Sequence, residues 1–171
     1  MMNTIPITLC YSVVSSTVPH GTSKTRVAQL VAEAAKRWNK VMRGYVYLAT
    51  SKRVADIILK FGTVDRSEQK DRVAQCKRTR DASGVVKWEI TFADDVTWDT
   101  SAWWQFWKGG KENLLCGIMH ELGHVWLNPP HESRWHSDIP GDVMAPSLLN
   151  SVISNDEAAR YRDRYQLLNN D

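Results

Sequence analysis

The chain has 171 residues, 43% of them hydrophobic and 24% charged, a balance typical of a folded domain and too apolar for disorder. No apolar run approaches the ~20 residues that a membrane-crossing helix needs. With 22 basic against 19 acidic residues, the net charge of +3 is too small an excess to argue for a nucleic-acid partner.

Three cysteines (Cys10, Cys76 and Cys116) are an odd number with no CxxC pair, which argues against a disulfide framework and leaves no cysteine zinc knuckle. The stretch up to His20 has neither a basic n-region nor a long apolar h-region, so it does not read as a secretory signal. The expectation is a protein that acts where it is made, cytoplasmic or phage-associated, or one already processed or exported by another route.

Residues 5–14 are β-branched and partly alternating, and predict a first strand. Over residues 24–43 the apolar positions are Val27, Leu30, Val31, Ala34, Ala35, Trp38 and Val41. That is helical spacing, and Gly44 stands where a C-terminal glycine belongs. Residues 45–50 and 54–61 read as two short strands, the second ending at Gly62. Residues 65–84 are polar, with six basic side chains between Arg66 and Arg80; they predict a solvated loop or short helix, with a weak anion-binding site as the alternative.

Residues 85–93 alternate and predict another strand. The connection 94–111 is rich in aromatics, holding Trp98, Trp103, Trp104 and Trp107. A helix over 112–127 is stopped by Asn128-Pro129-Pro130. Residues 131–153 read as irregular, and 155–168 as a last helix whose early acidic residues suit its dipole. No repeat or linker divides the chain. Two long helices with a small mixed sheet give a single α+β or α/β domain.

The chemistry sits at His120-Glu121-Leu122-Gly123-His124. Histidines at i and i+4 lie on one helix face, one turn apart, so both imidazoles can reach one ion. Glu121 beside them can take a proton from a metal-bound water. The rest of the helix is apolar, and histidines on so buried a helix need a partner, of which zinc is the simplest. Three protein ligands plus water make a catalytic site, four a closed structural one. Downstream stand His131 and His136, and no Cys or His follows them. His20, far upstream in a loop, reads as an exposed histidine.

These residues resemble the metzincins, and within them a small matrixin-like (peptidase M10-type) protease domain. Asn113-Leu114-Leu115, seven residues before His120, resembles the start of the matrixin active-site helix. The segment from His136 through Gly141 and Met144 to Pro146 resembles the matrixin run from the third histidine through the Met-turn. Ala34 to Trp38 resembles the family's first helix, and Ala55 to Phe61 its A-D-I strand. Ile90 to Asp95 with Trp98 resembles the strand bordering the cleft, and Asp156 onward the C-terminal helix.

The resemblance implies an α+β metzincin fold: a small mixed twisted sheet on two long helices, an active-site helix, a Met-turn and a C-terminal helix. It implies one domain over 1–171, with an N-terminal subdomain to about residue 127 and a C-terminal one from about 128. It further implies a zinc-dependent endopeptidase with one catalytic Zn2+ on His120, His124 and a third histidine. Glu121 would be general base to a zinc-activated water, and Met144 a hydrophobic floor that does not ligate.

Two departures stand out. The family pattern is HExxHxxGxxH, but Leu127 holds the glycine position and Pro130 that of the third histidine. His136 keeps the spacing to Met144. His131 keeps a different feature, because Asn128 can take the left-handed conformation usually given to glycine and Asn128-x-x-His131 then mimics G-x-x-H. His136 is the favoured third ligand and His131 the alternative. The loop that holds structural zinc and calcium in the family is replaced by the basic stretch 65–84, which has no histidine. A second zinc is not expected, and Ca2+ through Asp94, Asp95 or Asp99 is a weak alternative.

Cys10 does not resemble the inhibitory pro-segment cysteine, and Cys116 reads as a small buried residue. The expected partner is a polypeptide lying extended along residues 88–93 by strand addition, with Trp103, Trp104 and Trp107 as subsite or packing residues. Nucleic acid and membrane are not expected as partners, and the sequence is silent on oligomeric state. Two other readings keep the metal: a zinc-stabilised binding or assembly module closed by both His131 and His136, and a metal-dependent amidase acting on a cell-wall peptide.

Overall fold

The computed structural model describes residues 7–19, 22–51, 55–80, 82–100, 112–127, 135–145 and 151–169. His20, Trp103, Trp104, Trp107 and His131 lie outside the described residues.

Strand β1 (Ile7–Val13) passes through one 3-10 turn at Ser15–Thr17 into helix α1 (Lys24–Val41). The Ser23 side chain caps α1 by accepting from the Arg26 N–H at 3.2 Å, satisfying one of the helix's orphan donors. The helix buries Val27, Leu30, Val31, Ala34, Ala35, Trp38 and Val41, the seven positions its periodicity marks. Gly44 follows with φ +89°, a left-handed conformation that only glycine adopts without strain.

Strands β2 (Val46–Thr50), β3 (Ile57–Gly62), β4 (Ala74–Arg80) and β5 (Val86–Ala93) complete a five-stranded sheet in the order β2-β1-β3-β5-β4. All neighbours are parallel except β4, which runs antiparallel to β5. A short parallel pair, β6 (Trp98–Asp99) with β7 (Glu112–Asn113), precedes helix α2 (Leu114–Leu127), and helix α3 (Asn155–Asn169) closes the chain. Among the described residues the result is a mixed α/β fold with a mostly parallel sheet and three α-helices. No described helix is long and apolar enough to cross a membrane.

Asp56 splices three strands. Its carboxylate accepts from the Cys10 N–H at 2.7 Å, its N–H donates to the Cys10 carbonyl at 2.8 Å, and its carbonyl accepts from Trp88 N–H at 2.7 Å. The pairings Ile57↔Trp88, Leu59↔Ile90 and Phe61↔Phe92 put these side chains on one face, continued on β4 by Ala74 and Cys76. Helix α2 packs over β4 and β5, and α1 packs on β2 and on α2.

Two expectations are corrected here. The stretch 65–84 is not simply a solvated loop or short helix, because Ala74–Arg80 pairs along its length with β5. Pairing is a tertiary event, and the run Lys77 to Arg80, exposed throughout, has no alternation of polar and apolar residues to mark a strand. Nor can a substrate add to residues 88–93: β5 is an inner strand, bonded to β3 on one side and β4 on the other. The edge on this side of the sheet belongs to β4, and β2 forms the opposite one.

The rest of the basic stretch is braced by arginines. Arg66 forks onto both oxygens of Asp95 at 2.6 and 2.8 Å, and its Nε donates to the Arg72 carbonyl at 2.9 Å. The hydrogen bond from Arg66 holds the Asp95 carboxyl below its ordinary range. Arg72, nearly buried, donates to the Asp65 carbonyl at 2.7 Å. Of the three aspartates weighed as calcium ligands, Asp95 thus has a guanidinium on both oxygens.

Candidate active site

Every residue of α2 from Leu114 to Leu127 is buried. The Asn113 side chain caps its start, accepting from Cys116 N–H at 3.0 Å. At its other end the Arg164 guanidinium donates to the Leu127 carbonyl at 2.8 Å, a cation on a helix C-terminus where both hydrogen bond and dipole favour it. His120, Glu121 and His124 are the helix's charged or titratable side chains besides Cys116, and all are within 5% of full burial. Burial pushes the Cys116 thiol up to about 11, so it stays protonated and inert, as read from the sequence.

His136 joins the two helical histidines from the segment that follows. The metal-binding atoms of the three rings all lie within 4.8 Å of one another. The Nε2 atoms of His120 and His124 are 3.1 Å apart, close to the ~3.3 Å that two nitrogens on one tetrahedral zinc adopt with bonds of ~2.0–2.1 Å. His120 Nδ1 donates to the Val143 carbonyl at 2.9 Å, which leaves the Nε2 lone pair for an ion. Donor chemistry, spacing and tautomer all fit a zinc ion.

The segment carrying His136 is held from both sides. Trp135 packs edge-on to Tyr161 with centroids 6.1 Å apart, under the Arg164 guanidinium at 4.2 Å. Ser137 N–H donates to the Met144 carbonyl at 2.8 Å, closing the turn, and its hydroxyl donates to Asp142 at 2.6 Å. Arg160 grips the same carboxylate at 2.8 and 3.0 Å. The α3 residues Glu157, Arg160, Tyr161 and Arg164 therefore support the site, a role the sequence reading missed. Ser154-x-x-Glu157 is legible as a capping box, and Glu157 N–H does donate to Ser154 Oγ at 3.1 Å. Its second reach, to the turn, could not be read from the sequence.

Met144 is fully buried with its thioether pressed against Gly123 of α2. A Cβ on Gly123 would stand 2.2 Å from Met144 Sδ and 3.0 Å from Trp38 Cζ2. Gly123→Ala is expected to cost ~1–3 kcal/mol by overpacking, offset by ~1 kcal/mol of helix propensity, for a net loss of up to about 2 kcal/mol. Urea denaturation checks this. Against a Met144→Ala background the same substitution should cost less, a coupling that a double-mutant cycle reads directly.

Trp98, the one member of the aromatic connection's tryptophans that is described, is buried. It donates to the Ala93 carbonyl at 2.8 Å and meets Phe92 edge-on at 5.7 Å, which makes it a core residue.

Three histidines gathered beside a buried carboxylate on a mixed α/β scaffold make a candidate metal centre. The family model of the matrixins, peptidase M10, matches residues 3–165, and the chain belongs to that family, whose members are zinc-dependent peptidases acting on polypeptides. Among curated proteins none matches it.

Proposed function

We propose that the chain is a zinc-dependent endopeptidase, a single catalytic unit whose N-terminal part to about residue 127 and C-terminal part from about 128 meet at the metal. The observation that carries this is the convergence of His120, His124 and His136 within 4.8 Å next to Glu121. His120, His124 and His136 would hold the Zn2+, with His136 taken over His131. Bound zinc supplies Lewis acidity and lowers the pKa of the attacking water towards ~7.

Glu121 accepts the proton of that water and returns it to the leaving amine. Its burial keeps the carboxylate out of bulk solvent, where its charge acts more strongly on the reacting groups. Met144 forms the apolar floor, with no ligand role. The substrate backbone adds to the edge of β4, the strand on which α2 packs, and gains main-chain hydrogen bonds there.

The test is cleavage of a mixed peptide library by zinc-loaded, chelator-stripped and zinc-restored protein. Cleavage is expected in the first and third samples only, and the product ends give the specificity. His136→Ala should lose zinc and His131→Ala keep it. No cleavage at one zinc per chain would favour a binding module or an amidase; zinc retained by His136→Ala and lost by His131→Ala would move the third ligand to His131.

A further inference from the structure

The peptide unit between Val143 and Met144 lies at the centre of a buried hydrogen-bonded chain. Its carbonyl accepts from His120 Nδ1 at 2.9 Å, and its N–H donates to the Tyr161 hydroxyl at 3.1 Å. Tyr161 in turn donates to the Glu157 carboxylate. The same carboxylate oxygen accepts from Val143 N–H at 2.6 Å. His120, Tyr161 and Glu157 are all within 4% of full burial.

Every proton in this chain points the same way, from imidazole to peptide to phenol to carboxylate. Hydrogen bonds aligned in that manner polarise one another, and a low local dielectric strengthens the effect. A carboxylate bonded directly to a metal-ligating histidine fixes its ring and raises its basicity. Here the carboxylate is set further back, with a phenol and a peptide bond between. Burial and the Glu157 hydrogen bond push the Tyr161 hydroxyl well above its ordinary range, so it remains a donor throughout the working pH range.

We propose that Tyr161 and Glu157 are positioning residues for the metal centre, which fix and polarise the 143–144 peptide and through it orient His120 and strengthen its Nε2 as a ligand. The inference rests on the reading of His120 as a zinc ligand. It assigns α3 a part in the chemistry beyond packing. The helix also reaches the other side of the site, where Arg160 holds Asp142 and Asp142 holds Ser137, next to His136.

The experiment measures Zn2+ affinity by chelator competition, and the visible spectrum of the Co2+-loaded protein, in the wild type, Tyr161→Phe, Glu157→Gln and Tyr165→Phe. Tyr161→Phe keeps the ring and its contacts and removes only the hydroxyl. It is expected to weaken zinc binding by about 10-fold, at the low end of the range for outer partners of metal ligands, and to shift the cobalt bands. Tyr165→Phe, which removes a phenol hydroxyl one turn further along the same helix, should change neither.

A purely structural role would lower the urea midpoint and leave affinity and spectrum of the folded protein unmoved; that result overturns the proposal. Glu157→Gln keeps the size and removes the charge. It should weaken zinc binding in the same direction, and it decides the matter if Tyr161→Phe does not fold. A wild type that binds no metal would overturn the zinc reading itself, an outcome distinct from a wild type that binds zinc and a Tyr161→Phe variant that binds it equally well.

Discussion

Glu121→Gln is expected to lower kcat/KM for peptide cleavage by about 10^2–10^4-fold, the contribution of a positioned general base, with one zinc per chain retained. Glutamine matches the shape of the buried side chain, so α2 and its histidines keep their places. What it lacks is a carboxylate to take the water's proton. The residue sits directly after His120 and is 5% exposed, which places it beside the histidine cluster and screens it from competing solvent. The measurement is the rate on the best peptide from the library, with zinc content by atomic absorption. A variant that keeps its rate would remove Glu121 from the mechanism; one that loses its zinc would show the side chain to be structural.

Trp38→Ala should be the most destabilising single truncation, at ~3–5 kcal/mol. The side chain is 1% exposed and joins all three helices. Its indole N–H donates to the Met119 carbonyl of α2 at 2.9 Å. It meets Trp126 edge-on at 4.9 Å and Tyr161 of α3 at 5.6 Å. Removing it empties the space beside Gly123, where Met144 also packs. Since total stability for a domain is ~5–15 kcal/mol, the loss is a large fraction of the whole. Trp38→Phe keeps most of the volume and gives up the hydrogen bond, at ~1–2 kcal/mol. Urea midpoints of the two variants check both values, and a Trp38→Ala midpoint equal to the wild type would show that α1 does not hold the helices together.

What could be read in the sequence follows the range of the interactions. Helix α1 was fully legible because an amphipathic helix writes its buried face into local spacing. His120 and His124 were legible for the same reason, being one turn apart on one face. His136, which the structure gathers with His120 and His124, was legible only through its spacing to Met144, and residue types alone left His131 as an alternative. Strand β4 was not legible: its register, Ala74↔Phe92 through Arg80↔Val86, exists only once β5 is in place, and five of its seven residues are polar. Glu157 and Tyr161 stand four apart and so share a helix face, but the peptide that they meet is brought to them by the turn after His136, which no local pattern encodes.

The basic end of β4 also acts on copies of the chain itself. An open strand edge is a template for any extended chain, including another β4. If two copies met antiparallel about Lys77, each Lys77 would face the other, and Arg78 and Arg80 of each chain would crowd the same short ribbon. Like charges opposed across strands are destabilising. Pairing with a second copy is therefore disfavoured at this edge, whereas an extended peptide without this charge pattern, such as the proposed substrate, would meet no such opposition.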